Sequence, residues 1–242
     1  MKRRLAIVAL ACLSQAALAA DPAANSDDDL GTKPATTVAE ALAKIERSRV
    51  HQPPLDVRRK VAQRFGECLA RIPGLHGKAI TFLLSGKRSD GVKLADTDCF
   101  GKGLEAGGLD SVNASFPVHV MRSMVADGLV RVEFHSHGPT DFSAVAPLDH
   151  PPKDEDETVP AAKERTIADK LGECAARVSP EGIRQLALAD AASKQELAQI
   201  HQLVPTFAQC LPPGVQLSFS AGVLRDSSVL GYARLAFTQA AE

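Results

Sequence analysis

Apolar residues recur at helical spacing in two separate parts of the chain. The first stripe consists of Val57, Val61, Phe65, Cys68, Leu69 and Ile72. It follows Asp56, a good N-cap, and stops at Pro73, so it predicts a helix over 56–72. The second stripe consists of Ile167, Leu171, Cys174, Ala175 and Val178, and it ends at Ser179-Pro180.

The two stripes contain nearly the same motif, GECLAR at 66–71 and GECAAR at 172–177. Two later segments also match, VNASF (112–116) with VQLSF (215–219), whose alternation predicts a short strand in each copy. A closing helix follows each strand, where Met121-Arg122, Gly128, Arg131 and Phe134 correspond to Leu224-Arg225, Gly231, Arg234 and Phe237. The sequence therefore predicts a mainly α protein built by tandem duplication of one disulfide-stapled helical module.

The segments between these repeated motifs have a less regular hydrophobic pattern. The repeat favours a helix over 75–84, and 87–98 is expected to be a loop or a single turn. The glycines within 101–108 indicate a flexible connector. A helix is predicted from Ser193, with Glu196 completing a capping box. Its inward positions are expected to be Leu197, Ile200 and Val204.

Glycine inside a helix costs about 1 kcal/mol relative to alanine. Its occurrence in both closing helices, at Gly128 and Gly231, predicts a close approach of two helices in each module. Glu67 with Arg71, and Glu173 with Arg177, are four residues apart and are expected to pair along the exposed side of their helices.

The remaining segments divide the chain of 242 residues as follows. Residues 1–19 have a basic start, an apolar run and small residues before the end, which is typical of a secretory signal peptide. Residues 20–52 are expected to be a flexible leader with a short helix, and 138–160 a linker rich in proline and acidic residues. Module 1 then covers 53–137 and module 2 covers 161–242.

The signal predicts a periplasmic or secreted protein. Lipidation at Cys12 stays open as an alternative, whereas no apolar run is long enough to predict a transmembrane segment.

Cysteine number and compartment together favour disulfides. Removal of the signal leaves Cys68, Cys99, Cys174 and Cys210, for which three connectivities exist. The repeat selects Cys68–Cys99 and Cys174–Cys210, because this pairing gives two equivalent modules.

Several features of the second copy form a recognisable pattern: GEC at 172–174, Cys210-Leu211-Pro212, Leu224-Arg225 and Tyr232-Ala233-Arg234. This pattern resembles small secreted proteins of proteobacteria that have no assigned activity. The first copy departs from it, since Phe100-Gly101 follows its cysteine and Leu129 stands where Tyr232 is expected. The resemblance covers most of the chain after the signal and implies no particular chemistry.

Composition narrows the possible functions. The whole chain has a net charge of −1, no Trp and one Tyr, which disfavours nucleic-acid binding and aromatic platforms for sugars. A nucleophilic cysteine conflicts with the predicted disulfides, and neither a G-x-S-x-G elbow nor a phosphate loop occurs. The sequence therefore predicts no catalytic residue and no cofactor, and it leans away from an enzyme.

Two weak binding sites remain as candidates. His135 and His137 could both reach one metal ion, although three or four fixed ligands are normally needed. Arg122, Arg131, Arg225 and Arg234 could contact an anion or a partner protein, or could instead cap helices and pair with Glu within the fold.

The expected function is a non-catalytic interaction or structural module with an unknown protein partner. The alternative is a small-ligand or metal binder that uses the groove between the modules or the histidine-bearing linker.

Overall fold

A computed structural model describes residues 54–94, 97–108, 117–150, 157–211 and 219–241. These residues belong to one compact unit, Gln52–Glu242. Their helices are α1 (Leu55–Arg71), α2 (Pro73–Ser85), α3 (Arg88–Val92), α4 (Thr97–Ala106), α5 (Val118–Glu133), α6 (Val159–Val178), α7 (Pro180–Leu188), α8 (Lys194–Gln209) and α9 (Ala221–Gln239).

The prediction of a mainly helical protein is confirmed, and the described ranges contain no strand. Of the two predicted strands, 112–116 and 215–218 lie outside the described residues, as do the signal peptide and the leader. The segments expected at 56–72, at 75–84 and after Ser193 form α1, α2 and α8. The Ser193 hydroxyl accepts a hydrogen bond from the Glu196 N–H, which is the cap that the sequence predicted.

Two long helix pairs form the centre of the structure. Helix α1 packs against α5, and α6 packs against α9, while α5 and α9 also contact each other. Helices α2 and α7 each lie against both α5 and α9, which are the two closing helices predicted from the sequence. We call α1–α5 the first half and α6–α9 the second half. One hydrophobic core contains residues of both halves, including Leu69, Phe82, Leu129, Ile183, Tyr232 and Leu235.

Glycines allow the two central pairs to come close together, as the sequence predicted. A Cβ added to Gly128 would lie 2.1 Å from the carbonyl carbon and oxygen of Gly66. In the other pair, a Cβ on Gly231 would lie 2.8 Å from the backbone of Gly172, and one on Gly172 would lie 2.2 Å from the Ser227 carbonyl oxygen. At both crossings the helix backbones occupy the space that a side chain would need.

The disulfide pairing predicted from the repeat is confirmed. Cys68–Cys99 joins α1 to α4, and Cys174–Cys210 joins α6 to the residue after α8. Each bridge stays within its own half of the chain.

Three local expectations were wrong. The glycine-rich stretch is helical as far as Ala106, where Gly103 lets α4 approach α1 so closely that an added Cβ would lie 2.9 Å from the Val61 carbonyl oxygen. Helix α8 buries Ile200, Leu203 and Phe207, whereas Leu197 and Val204 are about half exposed. Glu67 is buried and pairs with Arg64 and Arg131, not with Arg71. The other expected pair does form, with Arg177 Nη2 2.9 Å from Glu173 Oε1.

Candidate functional site

The paired arginines of the closing helices are buried and bind the ends of neighbouring helices. The Arg122 guanidinium donates to the carbonyl oxygens of Leu83 at 2.7 Å and Leu84 at 3.1 Å. Arg225 donates to the corresponding carbonyl oxygens of Leu186 at 2.7 Å and Ala187 at 3.0 Å. Both arginines are 3% exposed, so this geometry offers neither guanidinium to an external anion.

The second arginine pair is also engaged within the fold. Arg131 donates to the Ala189 carbonyl oxygen and lies 3.4 Å from a carboxylate oxygen of Glu67. Arg234 donates to the Asp149 carbonyl oxygen at 2.5 Å. Burial lowers the pKa of both arginines, Arg131 and Arg234, although neighbouring carboxylates oppose that effect. These contacts correspond to the role within the fold that the sequence left open for the four arginines.

A buried charge cluster joins the two halves. Glu196 of α8 receives a bidentate hydrogen bond from Arg59 of α1. Arg225 of α9 donates to Asp127 of α5 at 2.5 Å and lies 3.5 Å from Glu196. Burial alone would lower the pKa of Arg225, but the charges of Asp127 and Glu196 raise it. Removing one member of such a cluster would leave a buried charge without its partner, which is strongly destabilising.

Within the described part of the chain, the histidine pair does not belong to a cluster of metal-ligating side chains. His135 and His137 are both exposed at the end of α5. Among the described residues, no group of three or more His, Cys, Asp or Glu side chains could hold a metal ion.

Residues 138–150, which we call the strap, pack against the second half. The strap residues Phe142 and Val145 are buried. Arg177 of α6 donates to the carbonyl oxygen of Phe142 at 2.7 Å and to that of Val145 at 3.0 Å. Glu173 accepts a hydrogen bond from the Leu148 N–H and lies 3.2 Å from the His150 ring. Burial lowers the pKa of His150, against the opposing charge of Glu173. This packing was not predicted, because the proline-rich composition of 138–160 indicates only a connection between modules.

The structure contains a groove of about 970 Å³ between the N-terminal parts of α5, α6 and α9. It is lined by helices from the first and the second half of the described chain. Its apolar lining includes Val118, Val120, Ile167, Phe219, Val223 and Leu230. Leu230 is buried, and Val223 is 41% exposed, so the apolar surface extends from the core to the solvent.

Charged side chains line the rest of the groove. Arg165 donates to Glu157 at 3.0 Å and to Asp169 at 3.2 Å, and all three side chains are at most 12% exposed. Burial alone would lower the pKa of Arg165, but the hydrogen bonds and charge of Glu157 raise it. Glu164 and Asp226 add two carboxylates that solvent reaches, and Arg88 adds a second guanidinium.

Asp226 lies between the groove and the charge cluster. Its side chain is accessible to solvent at the groove, and the protein packed around the carboxyl raises its pKa to about 6. The positive charges of Arg59 and Arg225 oppose that rise. Asp226 is therefore mostly ionised at neutral pH.

Two serine hydroxyls in the groove donate to backbone oxygens of their own helices. Ser123 donates to the His119 carbonyl oxygen at 3.2 Å, and Ser227 donates to the Val223 carbonyl oxygen at 2.8 Å. A catalytic serine would instead give its proton to a side-chain base. Neither of these two hydroxyls therefore makes the hydrogen bond of an activated nucleophile.

No protein-family model, curated protein or solved structure matches this chain. Among the described helices, none is both long and apolar enough to cross a membrane.

Proposed function

We propose that the protein is an exported, non-catalytic binding protein that takes up a small ligand in the groove between α5, α6 and α9. The observation that carries this proposal is the groove itself. Its volume of about 970 Å³ lies near the upper end of the range of about 300–1,000 Å³ that is usual for small-molecule sites. Its lining combines apolar side chains with a few charged groups, which is also usual for such sites.

The groove favours the small-ligand hypothesis over the protein-interaction module that the sequence put first. Leu197 and Val204 are the large exposed apolar side chains of α8, and isolated residues of this kind are normal on a protein surface. A concave site of molecular size is a more specific feature.

Export is part of the proposal. It is supported by the signal-like residues 1–19 and by two disulfides, which persist in oxidising compartments. Mass spectrometry of protein from the periplasm or medium should show a chain that begins after residue 19 or 20. A full-length chain retained in the cytosol would contradict export.

We also propose that the two halves arose by duplication. The repeated GEC motif supports this origin, and so do the equivalent contacts of Arg122 with Leu83 and of Arg225 with Leu186. Such an origin would place the groove where two copies of one module meet.

Binding can be tested with N-phenyl-1-naphthylamine, a neutral probe whose fluorescence rises in apolar surroundings. We expect a saturable signal with the native protein and its loss in Val223→Phe, which fills the groove. Val204→Phe is the matched control, because Val204 is an equally accessible helical valine outside the groove. Equal signals from both variants, or no binding by the native protein, would refute the proposal.

A further inference from the structure

The charges of the groove indicate which ligands it prefers. The carboxylates that line it are Glu157, Glu164, Asp169 and Asp226, and the guanidiniums are Arg88 and Arg165. Among the lining residues that the structure describes, carboxylates therefore outnumber guanidiniums by two. Arg165 is already compensated, because its Nε and both Nη atoms bind Glu157 or Asp169.

Helix dipoles act in the opposite direction but are smaller. Three helix N-termini meet at the groove, and each carries a partial positive charge of about one half. Two of them are already capped, since the Thr158 hydroxyl accepts from the Ala161 N–H and the Ser220 hydroxyl accepts from the Val223 N–H. Glu157 precedes the N-cap residue Thr158 and is already included in the count of carboxylates. The three helix dipoles together amount to at most about 1.5 positive charges, so the two excess carboxylates of the described lining outweigh them.

The apolar lining sets a second requirement. Val118, Val120 and Phe219 line the groove together with Leu230 at its buried end. A hydrated metal ion could not use these surfaces, whereas an aromatic or aliphatic body would bury apolar area against them. Glu164 and Asp226 would then be available to the charged end of the same molecule.

We propose that the groove selects a small organic cation, an amine or quaternary ammonium group attached to an apolar body. This inference rests on the proposed function, because it names the ligand class of that same groove.

The test compares three probes that share one ring system: 1-naphthylmethylammonium, neutral 1-naphthalenemethanol and anionic 1-naphthoate. Fluorescence anisotropy with the full protein should give the tightest binding for the cation and the weakest for the anion. The cation's affinity should fall as salt is raised, while that of the neutral alcohol should change little.

Two conservative variants test the source of the preference. Glu164→Gln should weaken cation binding by up to about fivefold, the effect of one exposed charge pair, and leave the neutral probe unchanged. Glu105→Gln is the control, because Glu105 is an exposed carboxylate on α4 outside the groove.

The outcomes separate the two proposals. If the alcohol binds but the anion binds as tightly as the cation, the charge preference is refuted and the binding groove stands. If Glu164→Gln and Glu105→Gln have equal effects, the preference does not come from the groove. If no probe binds, both proposals fail together.

Discussion

A methyl group added at Gly128 tests the close helix crossing directly. The new Cβ would lie 2.1 Å from the Gly66 carbonyl and 2.6 Å from the Glu67 nitrogen, whereas ordinary contacts begin near 3.4 Å. Helices α1 and α5 would have to separate by about 1.3 Å, and the atoms that clash are backbone atoms, which cannot rotate away.

The size of the effect follows from two opposing contributions. Overpacking of a core costs about 1–3 kcal/mol and occasionally more, and a backbone clash belongs at the upper end. Replacing a helical glycine by alanine stabilises by about 1 kcal/mol. Gly128→Ala should therefore lose about 2 kcal/mol net, or about 4–8 °C in Tm for a unit of this size.

Gly77→Ala is the matched control. Gly77 also lies inside a helix, α2, but an added Cβ there would meet no atom within 4 Å. We expect this variant to gain up to about 1 kcal/mol. Urea denaturation followed by far-UV circular dichroism measures both. If Gly128→Ala proves as stable as Gly77→Ala, the close approach of α1 and α5 is wrong.

Three further predictions concern the disulfides, the charge cluster and acid stability. The double variant C174S/C210S opens a loop of 36 residues and should lose about 3.5–4 kcal/mol by the chain-entropy model; a loss below about 1 kcal/mol in urea denaturation would contradict this. Arg225→Met leaves buried carboxylates and carbonyls unpaired and should cost about 3–5 kcal/mol, whereas an unchanged unfolding free energy would show that the cluster has no structural role. The hydrogen bond from Arg184 lowers the pKa of Glu181 to about 2, so this carboxylate stabilises the fold above its unfolded pKa and ceases to do so as the pH falls towards 2. The stability difference between the native protein and Glu181→Gln should therefore be largest near neutral pH and shrink below about pH 4; a constant difference would argue against this linkage.

Local and repeated features of the fold could be predicted from the sequence. The stripe through Phe65 and Leu69 marks the buried face of α1, and the Ser193 cap marks the start of α8. The glycines at 128 and 231 signalled close packing because glycine is otherwise unfavourable inside a helix. The disulfide pairing was chosen from the repeat, because the other two connectivities would join the two copies to each other.

Contacts between distant parts of the chain could not be predicted in this way. Nothing in the local pattern around Arg59 indicates Glu196, which lies 137 positions away. Phe142 looked like a single apolar residue in a linker, yet the ring of Tyr232 lies 5.5 Å from it. Helix α8 buries Leu203 and Phe207 beside Ile200. Leu197 and Val204 share a helical stripe with Ile200, and the local pattern did not indicate that they would stay exposed.

The groove was expected only as a place where two modules meet. Its combination of apolar and charged side chains depends on which residues of three helices converge, and periodicity within one helix does not specify that. The sequence shows the four arginines at matching positions of the two closing helices. Their carbonyl partners could be identified only from the structure.

The buried pairing of Arg59 with Glu196 has a consequence for how the molecule opens. If the start of α1 frays, Glu196 loses its bidentate partner while it remains 2% exposed next to Arg225. Fluctuations that begin in one half therefore carry an electrostatic penalty in the other. Amide hydrogen exchange in the two halves should accordingly report a shared free energy of opening, as expected for a single cooperative unit.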